Sequence, residues 1–406
     1  VIYTGESSIG TPIIELFENV RGQITSLKKV LADDYYRIDT GIVSSNFKIL
    51  ALSLFRSDDT NSSIVIYKNP LIITSNRSDQ DLEFKIVRQF PVRESSHLIT
   101  GMDFIGNSKI VITHLDQVEE TDVGAVTSRI SIYDLNPIEC PMLTCDVFAG
   151  FSSGPVSFEL IEHRNKKTRA NIKRYIVCGF AGFDVKQKQF IAPAAVRTYR
   201  IDSTDNNSGS IALKMVSQQS LPQFPYHIDV YKTDKGLRKT MIAVGTQRVQ
   251  NPFKVNPYLQ DTTSECFLKD DYNELRLYKF SREKLSLLYS EHRNVTTAIA
   301  FNPSGSHLAI CSIASENSSI CALYRIVIEN NKIRLQVDSE SVFTPASSSS
   351  GKFNSTGHIM LLHGANSEMF AGIHCYKITY PYDKEESETF AKWSSTNCKN
   401  NAKAQK

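Results

Sequence analysis

Asn294 to Val337 reads NVTTAIAFNPSGSHLAICSIASENSSICALYRIVIENNKIRLQV. Apolar residues alternate through VTTAIAF (295–301) and stop at an Asn302-Pro303-Ser304-Gly305 turn. HLAICSI (307–313) follows, then a polar loop over 315–319, then ICALYRIVI (320–328), an Asn-Asn-Lys turn and IRLQV (333–337). Period-two apolar runs bounded by Gly, Pro, Asn and Ser are the mark of strands joined by hairpins. Four such runs in a row build one antiparallel β-propeller blade.

Upstream, the same order returns. PYHIDVY (225–231), TMIAVGTQ (240–247), NELRLYKF (273–280) and KLSLLYS (284–290) form one set, with a long second-to-third connection from Arg248 to Tyr272. Before it stand VSFELIEH, RYIVCGFAGF, AAVRTYRID and SIALKMVSQ, and before those LITGMDFI, SKIVITHL, SRISIYDL and LTCDVFA. DYYRIDTGI, FKILALSLF, SSIVIYKN and EFKIVRQF make a less regular first set. The third strand of each set carries a tyrosine at one offset: Tyr67, Tyr133, Tyr199, Tyr278 and Tyr324, with a degenerate copy at Tyr376. A repeat that varies mainly in its loops fits a propeller, whose insertions leave from the rims.

The expected fold is therefore all-β: a β-propeller of six or seven four-stranded antiparallel blades over 1–382. TPIIELF (11–17) reads as a lone strand that closes the ring by pairing with the C-terminal blade, because an open ring leaves bare strand edges. The Ser-rich ASSSSGKFNSTG (346–357) reads as a flexible linker. The tail over 383–406 is polar and is expected to be disordered.

Composition narrows the function classes. The chain has 406 residues, with 46 Lys plus Arg against 43 Asp plus Glu, so net charge alone gives no case for polyanion binding. No apolar run approaches the roughly 20 residues that span a bilayer, so no membrane partner is expected. Val1 in place of Met points to a processed or incomplete start, and no signal peptide is visible. Eight Cys are too sparse for a disulfide scaffold, and Cys178, Cys311, Cys321 and Cys375 sit in apolar strand patterns as buried thiols. An intracellular setting is expected, the nucleus ahead of the cytoplasm.

No catalytic, cofactor or metal site is legible, and the chain reads as a non-enzyme with no small-molecule substrate. A G-X-S-X-G elbow is missing, His358, His363 and His374 match no metal-ligand spacing, and CPMLTC (140–145) has no partner pair. SGKFNS (350–355) lacks the upstream glycine of a phosphate loop.

Candidate contacts are confined to charged and long loops. HRNKKTRANIKR (163–174) carries Arg164, Lys166, Lys167, Arg169, Lys173 and Arg174 without an acid, in a first-to-second-strand connection. It would meet phosphates or an acidic partner, although no aromatic interleaves it for base stacking. Asp116, Glu119, Glu120 and Asp122 lie in a second-to-third-strand connection (116–127). Similar connections over 184–193 and 248–272, the latter with Arg248, Lys254, Tyr258 and Asp270, would complete a protein-docking rim. Protein subunits are the first expected partners and nucleic acid the second.

HIDVYKTDKGLRKTMIAVGT, a long polar loop, ELRLYKFSREKLSLLYSEHRNVTTAIAF, HLAICSI and LYRI follow one another over 226–326. In that order they resemble the C-terminal propeller family of the cleavage-and-polyadenylation factor large subunit, its splicing-factor counterpart and the damaged-DNA-binding adaptor. The resemblance covers about a quarter of the chain and carries no catalytic residues. It implies a nuclear scaffold working with nucleic acid or ubiquitin-ligase partners. The chain departs from that family in ending on a polar tail. It departs from the WD-repeat consensus in lacking Trp-Asp pairs, since its one Trp is Trp393.

Overall fold

The computed structural model describes residues 2–6, 12–20, 23–31, 37–44, 48–55, 62–68, 85–92, 96–116, 127–162, 171–184, 189–203, 211–231, 240–247, 273–294, 296–315, 318–329, 332–343, 347–353, 359–365 and 371–377. Among them the strands form seven antiparallel sheets in chain order, five of four strands and two of three. The first sheet is β1 (Ile2–Glu6), β2 (Pro12–Val20) and β3 (Gln23–Leu31). The second is β4 (Arg37–Val43), β5 (Ile49–Phe55), β6 (Ser62–Lys68) and β7 (Lys85–Pro91). The third is β8 (Ser96–Ile105), β9 (Lys109–Asp116), β10 (Thr127–Asp134) and β11 (Met142–Ala149). The fourth is β12 (Phe151–Glu162), β13 (Asn171–Asp184), β14 (Gln189–Ser203) and β15 (Ile211–Leu221). The fifth is β16 (Phe224–Tyr231), β17 (Thr240–Gln247), β18 (Glu274–Ser281) and β19 (Lys284–His292). The sixth is β20 (Thr296–Phe301), β21 (His307–Ser315), β22 (Ser318–Glu329) and β23 (Lys332–Phe343). The seventh is β24 (Ser347–Phe353), β25 (Ile359–Ala365) and β26 (Ala371–Lys377). Each sheet is a simple meander, so every strand pairs with its sequence neighbour.

The chain divides into two compact units. One comprises 1–158, 174–191 and 197–215, the other 159–173, 192–196 and 216–406. In the first, a cluster including Ile64, Ile66, Phe90, Met102, Phe104, Ile110 and Ile112 fills the space between the second and third sheets. A second cluster sets Ile105, Val111, Ile130 and Ile132 against Ile176, Cys178, Phe180 and Tyr199. In the other unit, Met241, Leu275 and Leu277 of the fifth sheet pack on Ile299, Phe301, Leu308 and Ile310 of the sixth.

Face-to-face stacking explains the burial pattern. A second strand is bonded on both edges inside its sheet, and β17, with the sixth sheet packed on the fifth, is buried without interruption from Thr240 to Thr246. A fourth strand is an outer edge, and β19 shows the mixed pattern of a half-solvated one. Two buried polar contacts anchor middle strands of the third sheet: His114 Nε2 lies 3.0 Å from Ser131 Oγ, and Ser128 Oγ donates to the Gly150 carbonyl at 2.7 Å.

The recurring tyrosine marks a β-bulge. Tyr67, Tyr133, Tyr278 and Tyr324 pair with Leu50, Ile110, Ile242 and Leu308 on their second strands. On the other side, the third-to-fourth register slips immediately before each of them. The skipped residues are Val87, Leu143, Leu288 and Asp338. Ile86, Met142, Leu287 and Val337 stand opposite the four tyrosines. An extra residue on the outer strand bends and twists it locally.

Aspartates on inner strands clasp the next sheet. Asp103 Oδ2 accepts from the Ser157 amide at 2.7 Å, joining β8 to β12. Asp229 Oδ2 accepts from the Phe301 amide at 2.7 Å, joining β16 to β20. The two aspartates are equivalent: they pair with Val111 and Ala243, each next to the residue facing the recurring tyrosine. β8 and β12 also approach so closely at Gly101 that a Cβ there would sit 1.7 Å from the Gly154 carbonyl oxygen. The Asn302–Gly305 turn forms as expected, with the Gly305 amide donating to the Asn302 carbonyl at 2.9 Å and Gly305 at φ +71°.

Three expectations need correction. TPIIELF is not a lone strand but most of β2, bonded on one edge to β1 and on the other to β3. With both edges occupied it has no backbone groups left for the C-terminal blade, so it is not the closing strand. The Ser-rich linker is in part β24, whose pairing with the apolar β25 overrides the weak strand preference of its serines. The 184–193 connection is shorter than expected, because β14 already begins at Gln189. The tail over 383–406 lies outside the described residues.

Candidate interaction surface

The long connection over 248–272 leaves the fifth sheet from a fastened base. Thr246 Oγ1 accepts from the Glu274 amide at 2.9 Å and donates to the Glu274 carbonyl at 3.3 Å. The last residue of β17 with a described side chain is thereby tied to the first residue of β18. Asn273, just before β18, accepts from the Arg293 amide at 3.0 Å. Thr246, Asn273 and Glu274 are all buried. The base is thus part of the sheet, and it belongs to the longest of the candidate connections.

A polar cluster surrounds this base. The Glu274 carboxylate holds Arg276 at 2.5 Å, and His292 Nε2 lies 3.9 Å from its other oxygen. Arg276 also donates to the Ser220 carbonyl at 3.1 Å. Burial alone would pull the Arg276 guanidinium down, but the Glu274 carboxylate bonded to it and the nearby Tyr278 hydroxyl outweigh it and hold the group above its ordinary pKa. Beside it, Glu291 binds Arg293 at 2.6 Å and the Tyr289 hydroxyl at 2.7 Å, and the Arg293 guanidinium lies 4.2 Å from the centre of the Tyr324 ring. Burial, reinforced by Glu291, pushes Tyr289 up to about 12. These side chains are mutually satisfied, so they shape a rigid platform and offer few open charges.

Two further groups lie on the inner strand β16. Tyr226 and His227 stack edge to face with ring centroids 4.6 Å apart. Each keeps some exposed surface, yet protein encloses both. Burial pushes Tyr226 up to about 12 and His227 down to about 3, so the imidazole is neutral at physiological pH.

The fold also assembles a Ser–His–Asp chain that sequence spacing does not reveal. Ser306 Oγ lies 2.8 Å from His307 Nδ1, and His307 Nε2 lies 2.8 Å from Asp338 Oδ2. Asp338 is the residue skipped by the bulge of the sixth sheet, which frees its carboxylate to turn inward. Arg325 shares that carboxylate at 3.0 Å, and Ser306 Oγ also lies 2.6 Å from Ser304 Oγ. A carboxylate divided between imidazole and guanidinium, with the hydroxyl engaged in its own turn, fits a strand lock better than an activated nucleophile. Among the described residues no group of three or more His, Cys, Asp or Glu is placed to hold a metal ion.

Most sequence-expected contacts fall outside the described residues: Arg164, Lys166, Lys167, Arg169, Glu119, Glu120, Asp122, Arg248, Lys254, Tyr258 and Asp270. Asp116 ends β9, at the root of its connection. Lys173 and Arg174 lie on β13, not in a loop. The Lys173 ammonium is 3.6 Å from Glu283, so part of the basic segment's charge is already engaged within the protein.

No known protein family matches the chain by sequence, and no curated protein does either. Among solved structures, a hypothetical selenium-binding protein from Sulfolobus tokodaii is similar at 9% identity over 82% of this chain and 73% of that one, with a TM-score of 0.50. Sqt1 of Saccharomyces cerevisiae is similar at 8% identity over 94% of this chain and 80% of that one, with a TM-score of 0.48. The β-propeller domain of Cps50 (Swd1) from Myceliophteria thermophila is similar at 8% identity over 93% of this chain and all of that one, with a TM-score of 0.45. At such identities the likeness concerns the fold alone.

Proposed function

We propose that this chain is a non-catalytic β-propeller scaffold that holds protein subunits of a larger assembly through its long second-to-third-strand connections. The observation carrying the proposal is the Thr246–Glu274 fastening, which gives the 248–272 connection a buried, hydrogen-bonded base. A segment presented from such a base loses less freedom on binding than one hung on a mobile stem. In this proposal the seven sheets act as seven blades. The nucleus is the favoured compartment and the cytoplasm the second, in keeping with the resemblance over 226–326.

The test is exchange of 248–272 for a short Gly-Ser turn in the full chain. Folding, followed by circular dichroism and thermal melting, should be retained, while co-purification of partners from native extract is lost. Undiminished co-purification would overturn the assignment of this connection.

A further inference from the structure

Cys311 and Cys321 are both thiols, and they stand directly opposite each other on β21 and β22. Opposed residues of an antiparallel pair project from the same face. Here that face is the seam between the sixth and seventh sheets, where both cysteines pack with Ala298, Ala309, Leu323 and Phe353.

The hydrogen-bond phase of the ladder sharpens the geometry. The Ile326 amide donates to the Ser306 carbonyl at 2.8 Å, which makes 306 and 326 a hydrogen-bonded pair. Hydrogen-bonded and non-hydrogen-bonded pairs alternate along the ladder, and its register is unbroken from His307↔Arg325 to Cys311↔Cys321. Counting along, Cys311 and Cys321 form a non-hydrogen-bonded pair. Such pairs have the closer side chains, with Cα atoms about 4.5 Å apart. That lies within the range of about 4.4–6.8 Å that a disulfide spans. The two thiols also differ in access, since Cys311 is fully buried and Cys321 is partly exposed.

We propose that Cys311 and Cys321 form a redox-sensitive dithiol that closes to a cross-strand disulfide by exchange with a small disulfide such as glutathione disulfide. Cys321, as thiolate, attacks one sulfur of glutathione disulfide and releases one glutathione. The Cys311 thiolate then attacks the Cys321 sulfur of the mixed disulfide and expels the second glutathione. Two protein thiols are oxidised, one glutathione disulfide is reduced to two glutathiones, and the two thiol protons end on them. The bridge joins β21 to β22 beneath Phe353, so the packing of the seventh sheet's inner strand reads the redox state.

The sequence makes the test clean. No Lys or Arg occurs between Arg293 and Arg325, so trypsin releases both cysteines, and no other, in the single peptide 294–325. The folded full chain is incubated with glutathione disulfide, acid-quenched, denatured, alkylated with iodoacetamide and digested. The expected result is a 294–325 peptide lighter by two hydrogen atoms and carrying no alkyl group. Cys311→Ser should instead hold a persistent glutathione adduct on Cys321, and Cys321→Ser should leave Cys311 fully alkylated. Alkylation of both cysteines in the oxidised parent chain would overturn the proposal. So would a lasting adduct on the parent's Cys321, or a bridge from either cysteine to a different peptide.

Discussion

Asp229 spends its carboxylate on the backbone of another sheet, and that makes it a sharper test of stacking than any apolar residue. Asp229→Ala leaves the Phe301 amide without its acceptor, which should cost about 1–3 kcal/mol in urea unfolding. Asp229→Asn keeps an acceptor oxygen and should cost less. His227 offers a second test, with a defined sign. Its folded pKa of about 3 lies below the ordinary value of 6.5, so between these values the unfolded chain binds the extra proton. Stability should therefore fall as the pH drops below about 6.5, by up to about 2 kcal/mol from this group at pH 5. In His227→Gln that part of the difference between pH 7.5 and pH 5 should vanish, as read by thermal melts at both values. Neither role is legible from the sequence. Asp229 and Asp103 recur in HIDVY and GMDFI, but only the register shows that they occupy equivalent positions.

Among elements, the fourth strands were the least legible and the third strands the most. A tyrosine at constant offset announced the repeat, because its ring is buried at the same place in successive sheets, as at Tyr67, Tyr133, Tyr199 and Tyr278. The bulge beside it leaves no mark in the sequence. A bulge is one surplus residue on the partner strand, and IVRQF or LSLLY shows no break in composition where it occurs. Removing the surplus residue sets Leu287 and Tyr289 side by side opposite Tyr278 and Leu277, so the ladder closes with its register kept and only the local bend lost. Deletion of Leu288 should thus cost about as much as Leu288→Ala, since both remove the same partly buried side chain and the register survives either change. Comparative urea midpoints of the two variants provide the check, and a much lower midpoint for the deletion would mean that β19 needs the bend the bulge supplies. The bulge also accounts for a row of exposed apolar residues. Ile86, Met142, Leu287 and Val337, opposite the tyrosines, are 50%, 42%, 50% and 48% exposed. They are one recurring outer-strand position and not scattered accidents.

For the whole molecule, alternation and turn chemistry were enough to reveal an all-β chain of successive four-stranded meanders, since both are local signals. The three-stranded first sheet was missed because its strands carry no tyrosine repeat, and β24 because a run of serines resembles a linker. Long-range partnerships such as Thr246 with Glu274, or His307 with Asp338, are set by register and cannot be read from spacing. The connections thought most apt to meet partners remain the least patterned parts of the sequence, as expected where folding does not constrain composition. The tie between Thr246 and Glu274 has a practical corollary. Because the two stems are held together by the sheet itself, the length of what runs between them matters little: each doubling costs only about 0.6 kcal/mol. That junction is a natural splice point, where a foreign epitope or a small reporter domain could be grafted while the sheet around it goes on folding as before.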